Sequence, residues 1–187
     1  QKNFNKKFQI ENSKKIILGI FRLSPEKRPF DFLETIKSLS KKRKDFVSII
    51  FGEGFLRNEI INFIKKHKLN KFIKLAGVSN NVNIALASAD VLLMTSEFEG
   101  TPNVLIEAQI LKCPIVSTNA GGILETVLNN DTAYCVNVGN VEDLTNNLNL
   151  VLNKGKTKFY NEKSIKLIEK KFDLNTMVSN TNKLYFK

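Results

Sequence analysis

The stretch Val91-Leu92-Leu93-Met94-Thr95-Ser96-Glu97-Phe98-Glu99-Gly100-Thr101-Pro102-Asn103-Val104-Leu105-Ile106-Glu107-Ala108 runs on through Cys113 to Pro114-Ile115-Val116-Ser117 and reads as strand, loop, helix, strand. Val91 to Thr95 is an almost unbroken apolar run bounded by polar residues, the pattern of a strand covered on both faces. Thr101 before Pro102 reads as a helix N-cap with proline at the first helical position, where its missing N–H costs nothing. Pro114 pushes the residue before it out of the helical region and so sets the predicted helix end.

The same alternation extends in both directions. Further strands are expected at Lys15 to Phe21, Val47 to Phe51, Phe72 to Leu75, Pro114 to Ser117 and Ala133 to Val136. Between them, Phe30 to Lys42 places Phe32, Leu33, Ile36 and Leu39 on one stripe, and Leu56 to Lys66 does the same with Ile60, Ile61 and Ile64. Residues 141–153 form another helix, and a last one through Ile165, Leu167 and Ile168 ends near Phe172. The expected fold is α/β, a Rossmann-like doubly wound parallel sheet of about six strands, with ligands beyond the carboxyl ends of the strands. Residues 1–14 read as a linker, 15–155 as the Rossmann-like domain and 156–187 as a helical tail.

At 187 residues, 42% hydrophobic and 25% charged, the chain has the composition of one folded domain, which excludes disorder as its ground state. No apolar run approaches the ~20 residues that span a bilayer. The start, Gln1-Lys2-Asn3-Phe4, has neither an initiating Met nor the apolar core of a signal peptide, and reads as a fragment. Cys113 and Cys135 sit in apolar stretches without metal-type spacing and read as buried, reduced thiols of a cytoplasmic protein.

The net charge of +11 is unevenly spread. Segment 75–153 has one base, Lys112, against eight acids, a net −7 that leaves +18 for the remainder. The bases lie in runs beside predicted helix faces, such as Lys41-Lys42-Arg43-Lys44, Lys65-Lys66 and Lys170-Lys171, and read as solvated surface, not as a nucleic-acid site. His67, the one histidine, ends a lysine-rich helix and reads as a surface residue.

The chemistry is expected in the loops that follow the strands. After the fourth strand, the first-turn amides from Asn103 onward are unpaired donors at the positive end of a helix, an anion site that fits a diphosphate. Glu99 lies before that helix and Glu107 inside it, ~7.5 Å further along the axis at 1.5 Å per residue. Such spacing suits holding a sugar with the first and ribose hydroxyls with the second; equally, a carboxylate favouring the helix dipole and a solvated helix glutamate would look the same. Arg22 and Lys27 share the tight loop after the first strand, where two cations can neutralise a pyrophosphate, although bases are common throughout this chain. Gly52-Glu53-Gly54 and Gly77-Val78 mark loops where glycine permits close backbone approach, and Gly121-Gly122, followed by Glu125, opens another helix after the fifth strand.

Taken together, these residues resemble the glycosyltransferase group 1 family, the retaining family 4 with the GT-B fold. The match runs from about Lys15 to Asn153. The family pattern E-G-x-[GP]-x-V-x-x-E-A stands at Glu99 to Ala108, R-L-x-x-x-K at Arg22 to Lys27, and P-[IV]-V-x-[ST]-x-x-G-G-x-x-E at Pro114 to Glu125. Phe21 stands where many members have glycine before the arginine.

The resemblance implies the C-terminal, donor-binding half of a GT-B enzyme that moves a sugar from a nucleotide-sugar, a UDP-sugar, to an acceptor hydroxyl in surface polysaccharide, lipopolysaccharide or glycan synthesis. It implies a catalytic, sugar-facing Glu99, a ribose-binding Glu107, and Arg22 and Lys27 on the pyrophosphate. Gly100, Thr101, Pro102, Asn103 and Val104 would line the donor, and the backbone near Val78 would meet the base. Positive side chains and helix amides would stand in for a metal ion, so neither metal nor cofactor is expected. A glycan or lipid-linked acceptor would be held by an N-terminal domain outside this sequence, with peripheral contact at the inner face of the membrane through the lysine runs. Isolated, the domain would bind donor and transfer poorly. The alternatives are a sugar-nucleotide epimerase of the same fold, a non-catalytic nucleotide-sugar-binding module, and a nucleic-acid-binding domain using the basic flanks.

Overall fold

The computed structural model describes residues 2–128, 131–159 and 162–185. Six parallel strands form its centre: β1 Lys15–Ile20, β2 Phe46–Phe51, β3 Ile73–Gly77, β4 Val91–Met94, β5 Ile115–Thr118 and β6 Ala133–Val136. Their order is β3-β2-β1-β4-β5-β6. The chain therefore builds outward from β1 to β3, returns to β1's other edge at β4, and continues to β6. Ile17 pairs with Ser48 on one side and Val91 on the other. That reversal opens a crevice at the carboxyl ends of β1 and β4, the place where open α/β sheets bind ligands.

Alternate residues of each strand feed two cores, as the two-residue period of a strand dictates. Ile17, Phe46, Ile50, Val91, Leu93 and Val116 face helices α2 (Pro29–Lys42), α3 (Arg57–Lys66) and α7 (Val141–Lys154). Ile16, Leu18, Val47, Ile49, Leu92 and Ile115 face α1 (Lys2–Lys7), α4 (Val82–Ser88), α5 (Asn103–Ile110) and α6 (Ile123–Thr126). Phe32, Leu33, Ile36 and Leu39, the predicted stripe of α2, are all fully buried. Of the α3 stripe, Ile60 and Ile64 are buried and Ile61 is half-buried.

Several expectations are corrected at element ends. Pro102, not Thr101, occupies the N-cap of α5: its ψ of 110° keeps it extended, the helix begins at Asn103, and no side chain caps it. Nor does Pro114 end that helix. It stops at Ile110, where Lys112 takes a left-handed φ of 56° and the amides of Lys112 and Cys113 donate to the carbonyls of Gln109 and Ala108 at 3.0 and 2.8 Å. This is a Schellman closure with lysine in glycine's usual place. Phe21 falls outside β1, and a 3₁₀ turn, Pro25–Lys27, follows it.

Residues 1–14, read as linker, carry α1, whose Phe4 is buried and packs on Phe8 at a ring separation of 4.8 Å. α4 was likewise not anticipated. The tail contains α8 (Glu162–Lys171), which packs on α5, and a further helix, α9 (Leu174–Tyr185). His67 is half-buried and its ring packs against Phe63 at 4.3 Å, tilted by 48°, so it is not a plain surface residue. Cys113 is buried as expected, while Cys135 is only partly so. No helix among the described residues is long and apolar enough to cross a membrane.

Candidate functional site

Two loops meet across the crevice, and short polar contacts hold them together. Thr95, fully buried at the end of β4, donates from Oγ1 to the carbonyls of Lys27 at 3.0 Å and Arg28 at 3.1 Å. The amide of Glu97 donates to the Glu26 carbonyl at 2.8 Å. Arg28, in the left-handed region at φ 46°, bonds Asp31 at 2.6 Å and reaches Glu97 at 3.5 Å. Asp31, with Glu97 behind it, holds the Arg28 guanidinium even further above neutrality than usual. The Ser24 hydroxyl donates to Glu26 at 2.5 Å, and with a backbone amide and the nearby Lys27 and Arg22 it holds that carboxyl below its ordinary range.

The central contact links two expected donor ligands to each other. Lys27 Nζ lies 2.6 Å from Glu99 Oε1, and the Ser96 hydroxyl donates to the same oxygen at 2.6 Å. The Glu99 side chain is 11% exposed and that of Lys27 is 22% exposed, so the pair is shielded on most sides. Arg22 is exposed at the mouth of the same loop, and no described side chain pairs with it. Sequence spacing does not foresee the ion pair; it arises because the sheet order brings residues 72 positions apart together.

A third loop, after β5, seats the Glu99 backbone. The Gly122 amide donates to the Glu99 carbonyl at 3.1 Å, and Thr118 Oγ1 donates to the Ser96 carbonyl at 2.6 Å. Gly121 holds a φ of 52°, and a Cβ there would stand 2.0 Å from the Glu99 carbonyl oxygen. Gly121 and Gly122 thus lie against another loop of the protein, and the helix expected after them is α6, which starts at Ile123. Gly52 and Gly54 behave alike, lying against the Phe21 and Leu23 carbonyls. A Cβ at Gly100 would instead meet open space.

The remaining expected residues line the same end. Asn103 and Val104 open α5, and among the described residues no group accepts from their amides. Thr101 is exposed and Pro102 buried beside them. Glu107 is exposed further along α5. Val78, 74% exposed after β3, stands two strands away from β1. Ser96, Thr95 and Thr118 were not singled out in the sequence; hydroxyl residues directly after β4 and at the last position of β5 were the available signal. Among the described residues no three His, Cys, Asp or Glu side chains are grouped to hold a metal ion.

This arrangement sets a cation and a carboxylate beside free helix amides at the switch point of a doubly wound sheet, which suits an anionic ligand with a hydroxyl-bearing portion. Known proteins share both sequence and fold. The chain is 32% identical over 153 residues to an alpha-1,4-N-acetyl-D-galactosaminyltransferase of Campylobacter jejuni, a match covering 81% of this chain and 41% of that protein. A crystal structure of Staphylococcus aureus TarM, in complex with fondaparinux, alpha-GlcNAc-glycerol and UDP, superposes with a TM-score of 0.85 at 25% identity, covering 94% of this chain and 36% of that one. The C-terminal domain of LpcC, a glycosyl transferase group 1 family protein from Francisella tularensis, superposes with a TM-score of 0.76 at 22% identity over 90% of this chain and 91% of that one. The chain spans less than half the length of the curated relatives it matches. The family model for glycosyl transferases group 1 matches residues 1–171, and the chain belongs to that family.

Proposed function

We propose that this chain is the donor-binding domain of a retaining glycosyltransferase that moves a sugar from a UDP-sugar to an acceptor hydroxyl. The observation that carries the reading is the Lys27–Glu99 pair at 2.6 Å, at the crevice between β1 and β4 and beside the amides of Asn103 and Val104. A non-catalytic nucleotide-binding module needs a cation and a ribose ligand but has no use for a shielded carboxylate at that point.

In the proposed reaction, the bond from the sugar's anomeric carbon to the diphosphate oxygen breaks and its electron pair leaves with the diphosphate. The acceptor oxygen bonds to the same carbon on the same face, and its proton passes to the departing phosphate oxygen. Arg22, Lys27 and the α5 amides stabilise the charge as it develops, the usual largest contribution to such catalysis, and neither metal nor cofactor is assigned a part. Glu99 faces the sugar, Glu107 the ribose, Gly100 to Val104 the phosphates and the Val78 backbone the base. UDP in the TarM complex supports the choice of nucleotide.

The acceptor, a glycan or a lipid-linked sugar, is assigned to a second domain, and the enzyme to the cytoplasmic face of the membrane. Two of the lysine runs, Lys41 to Lys44 and Lys65-Lys66, lie where α2 and α3 end and the strands begin, at the end of the sheet opposite the crevice, whereas Lys170-Lys171 ends α8 beside Glu125. Contact with anionic lipid there would contribute about 1 kcal/mol per nearby base and leave the crevice open. Co-sedimentation with anionic but not neutral vesicles at low salt is expected, and equal binding to both removes this part of the proposal.

Calorimetry with UDP, GDP, ADP and their sugars tests the main reading. Binding of UDP at sub-millimolar concentration by the chain alone is expected. Failure of all three diphosphates to bind the folded chain at millimolar concentration overturns the donor-site assignment.

A further inference from the structure

The Glu99 carboxylate is held from one side only. Both of its short contacts, from Lys27 Nζ and from the Ser96 hydroxyl, go to Oε1 at 2.6 Å, and no described group bonds Oε2. The two holders differ in what would happen to them when a diphosphate arrives. Lys27 is a flexible ammonium, 22% exposed, and the incoming charge competes directly for it. Ser96 is 1% exposed, it has a single side-chain torsion, and its carbonyl accepts a 2.6 Å bond from Thr118 Oγ1, itself fully buried on β5. Nothing about an arriving anion displaces that hydroxyl.

Resting on the donor-site reading above, we propose that Ser96 is the positioning residue of the sugar-binding step. Once Lys27 turns to the diphosphate, the Ser96 hydroxyl alone keeps Glu99 Oε1 in place and leaves Oε2 facing the sugar. Thr118 acts one step behind, fixing the Ser96 backbone from the neighbouring strand. Ser96 touches no substrate; it acts entirely through Glu99. Its loss therefore affects complete donors and not the nucleotide portion that Arg22, Glu107 and the helix amides hold.

The readout is the ratio of UDP-sugar to UDP affinity, measured by calorimetry with UDP, UDP-glucose, UDP-N-acetylglucosamine and UDP-N-acetylgalactosamine. The proteins compared are the unaltered chain, Ser96→Ala, Glu99→Gln and the double variant. Loss of a hydrogen bond to a charged acceptor predicts that Ser96→Ala lowers the ratio by about 10-fold. In the Glu99→Gln background the same change should leave the ratio within about twofold, because pairs acting as a unit are not additive. Ser96→Cys, near in shape but a weak donor, serves should the alanine variant fail to fold, and must shift the ratio the same way. An unchanged ratio in Ser96→Ala, or an equal drop in both backgrounds, overturns the role of Ser96 while the donor site stands. Absence of UDP binding by the unaltered chain, or a ratio untouched by Glu99→Gln, overturns the reading on which it rests.

Discussion

Lys27 Nζ sits 2.6 Å from Glu99 Oε1, so the cation expected to grip a diphosphate and the carboxylate expected to face a sugar neutralise each other while the crevice holds no anion. On the proposed donor-site reading, UDP competes with Glu99 for Lys27. Replacing Glu99 with Gln removes the competitor and a nearby negative charge, so UDP should bind Glu99→Gln about 3- to 10-fold more tightly, the worth of a partly shielded pair near 1 kcal/mol. Complete UDP-sugars should gain less or lose. Weaker UDP binding by Glu99→Gln in calorimetry would show that the pair is not the resting partner of Lys27.

Arg22 carries no such encumbrance. It is exposed and already available, whereas Lys27 has to leave Glu99 first. Arg22→Ala should therefore cost more UDP affinity than Lys27→Ala, and the double variant should show no detectable binding. With Glu99→Gln in place the two single losses should become similar. The ordering reverses if Lys27 Nζ is the dominant phosphate ligand despite its partner, and titration of the four proteins with UDP decides it.

The two glycines near Glu99 have different jobs. A Cβ on Gly121 would stand 2.0 Å from the Glu99 carbonyl oxygen at a φ of 52°, whereas one on Gly100 would meet nothing within 4 Å. Gly121→Ala is thus expected to lose about 1–3 kcal/mol of stability, roughly 3–10 °C in melting temperature for a chain of this size. Gly100→Ala should melt within about 2 °C of the unaltered chain while weakening UDP-sugar, because it crowds the donor path. A melting temperature unchanged by Gly121→Ala would mean the β5 loop does not bear on Glu99.

The strands were legible because β2, β4 and β5 are covered on both faces and their apolar runs leave no ambiguity of period. α4 was not, since seven residues, Val82–Ser88, are too few to show a 3.6-residue repeat. The ends of α5 escaped for another reason: a left-handed Lys112 and an extended Pro102 are decided by backbone hydrogen bonds, not by residue preference. Motif spacing singled out Arg22, Lys27, Glu99 and Glu107 as candidates. It could not find the Lys27–Glu99 pair or the Thr118–Ser96 bond, which tie together segments far apart in sequence and follow from the sheet order, nor the Ser96–Glu99 bond, a contact within one loop set by its backbone.

The thiols should be silent at neutral pH. Burial pushes Cys113 up to about 12 and Cys135 up to about 11, so neither forms the reactive thiolate at pH 8. A disulfide reagent should label the native chain slowly and the unfolded chain at once. The sign for stability follows from the raised values: the folded state keeps protons that the unfolded state releases, so this contribution is whole below about 9 and is lost as pH climbs toward 12. Comparison of melting curves with those of Cys113→Ala over that window isolates it from lysine titration, and a loss of the same size in both proteins would refute it.

Glu107 offers the cleanest separation of ribose from sugar. It is exposed on α5, outside the Lys27–Glu99–Ser96 cluster, and no described side chain bonds it. A carboxylate that accepts from ribose hydroxyls does so whether or not a sugar is attached. Glu107→Ala should therefore weaken UDP and UDP-sugar by the same factor, about 10- to 150-fold for the loss of a charged acceptor at ~1.5–3 kcal/mol. The cause can be isolated by removing the hydroxyls instead of the carboxylate. The unaltered chain should prefer UDP to 2′,3′-dideoxy-UDP by a comparable factor, and Glu107→Ala should bind the two nearly alike. If Glu107→Ala weakens the dideoxy compound as much as UDP itself, the glutamate acts through the helix or the phosphates, and its assignment to the ribose is wrong.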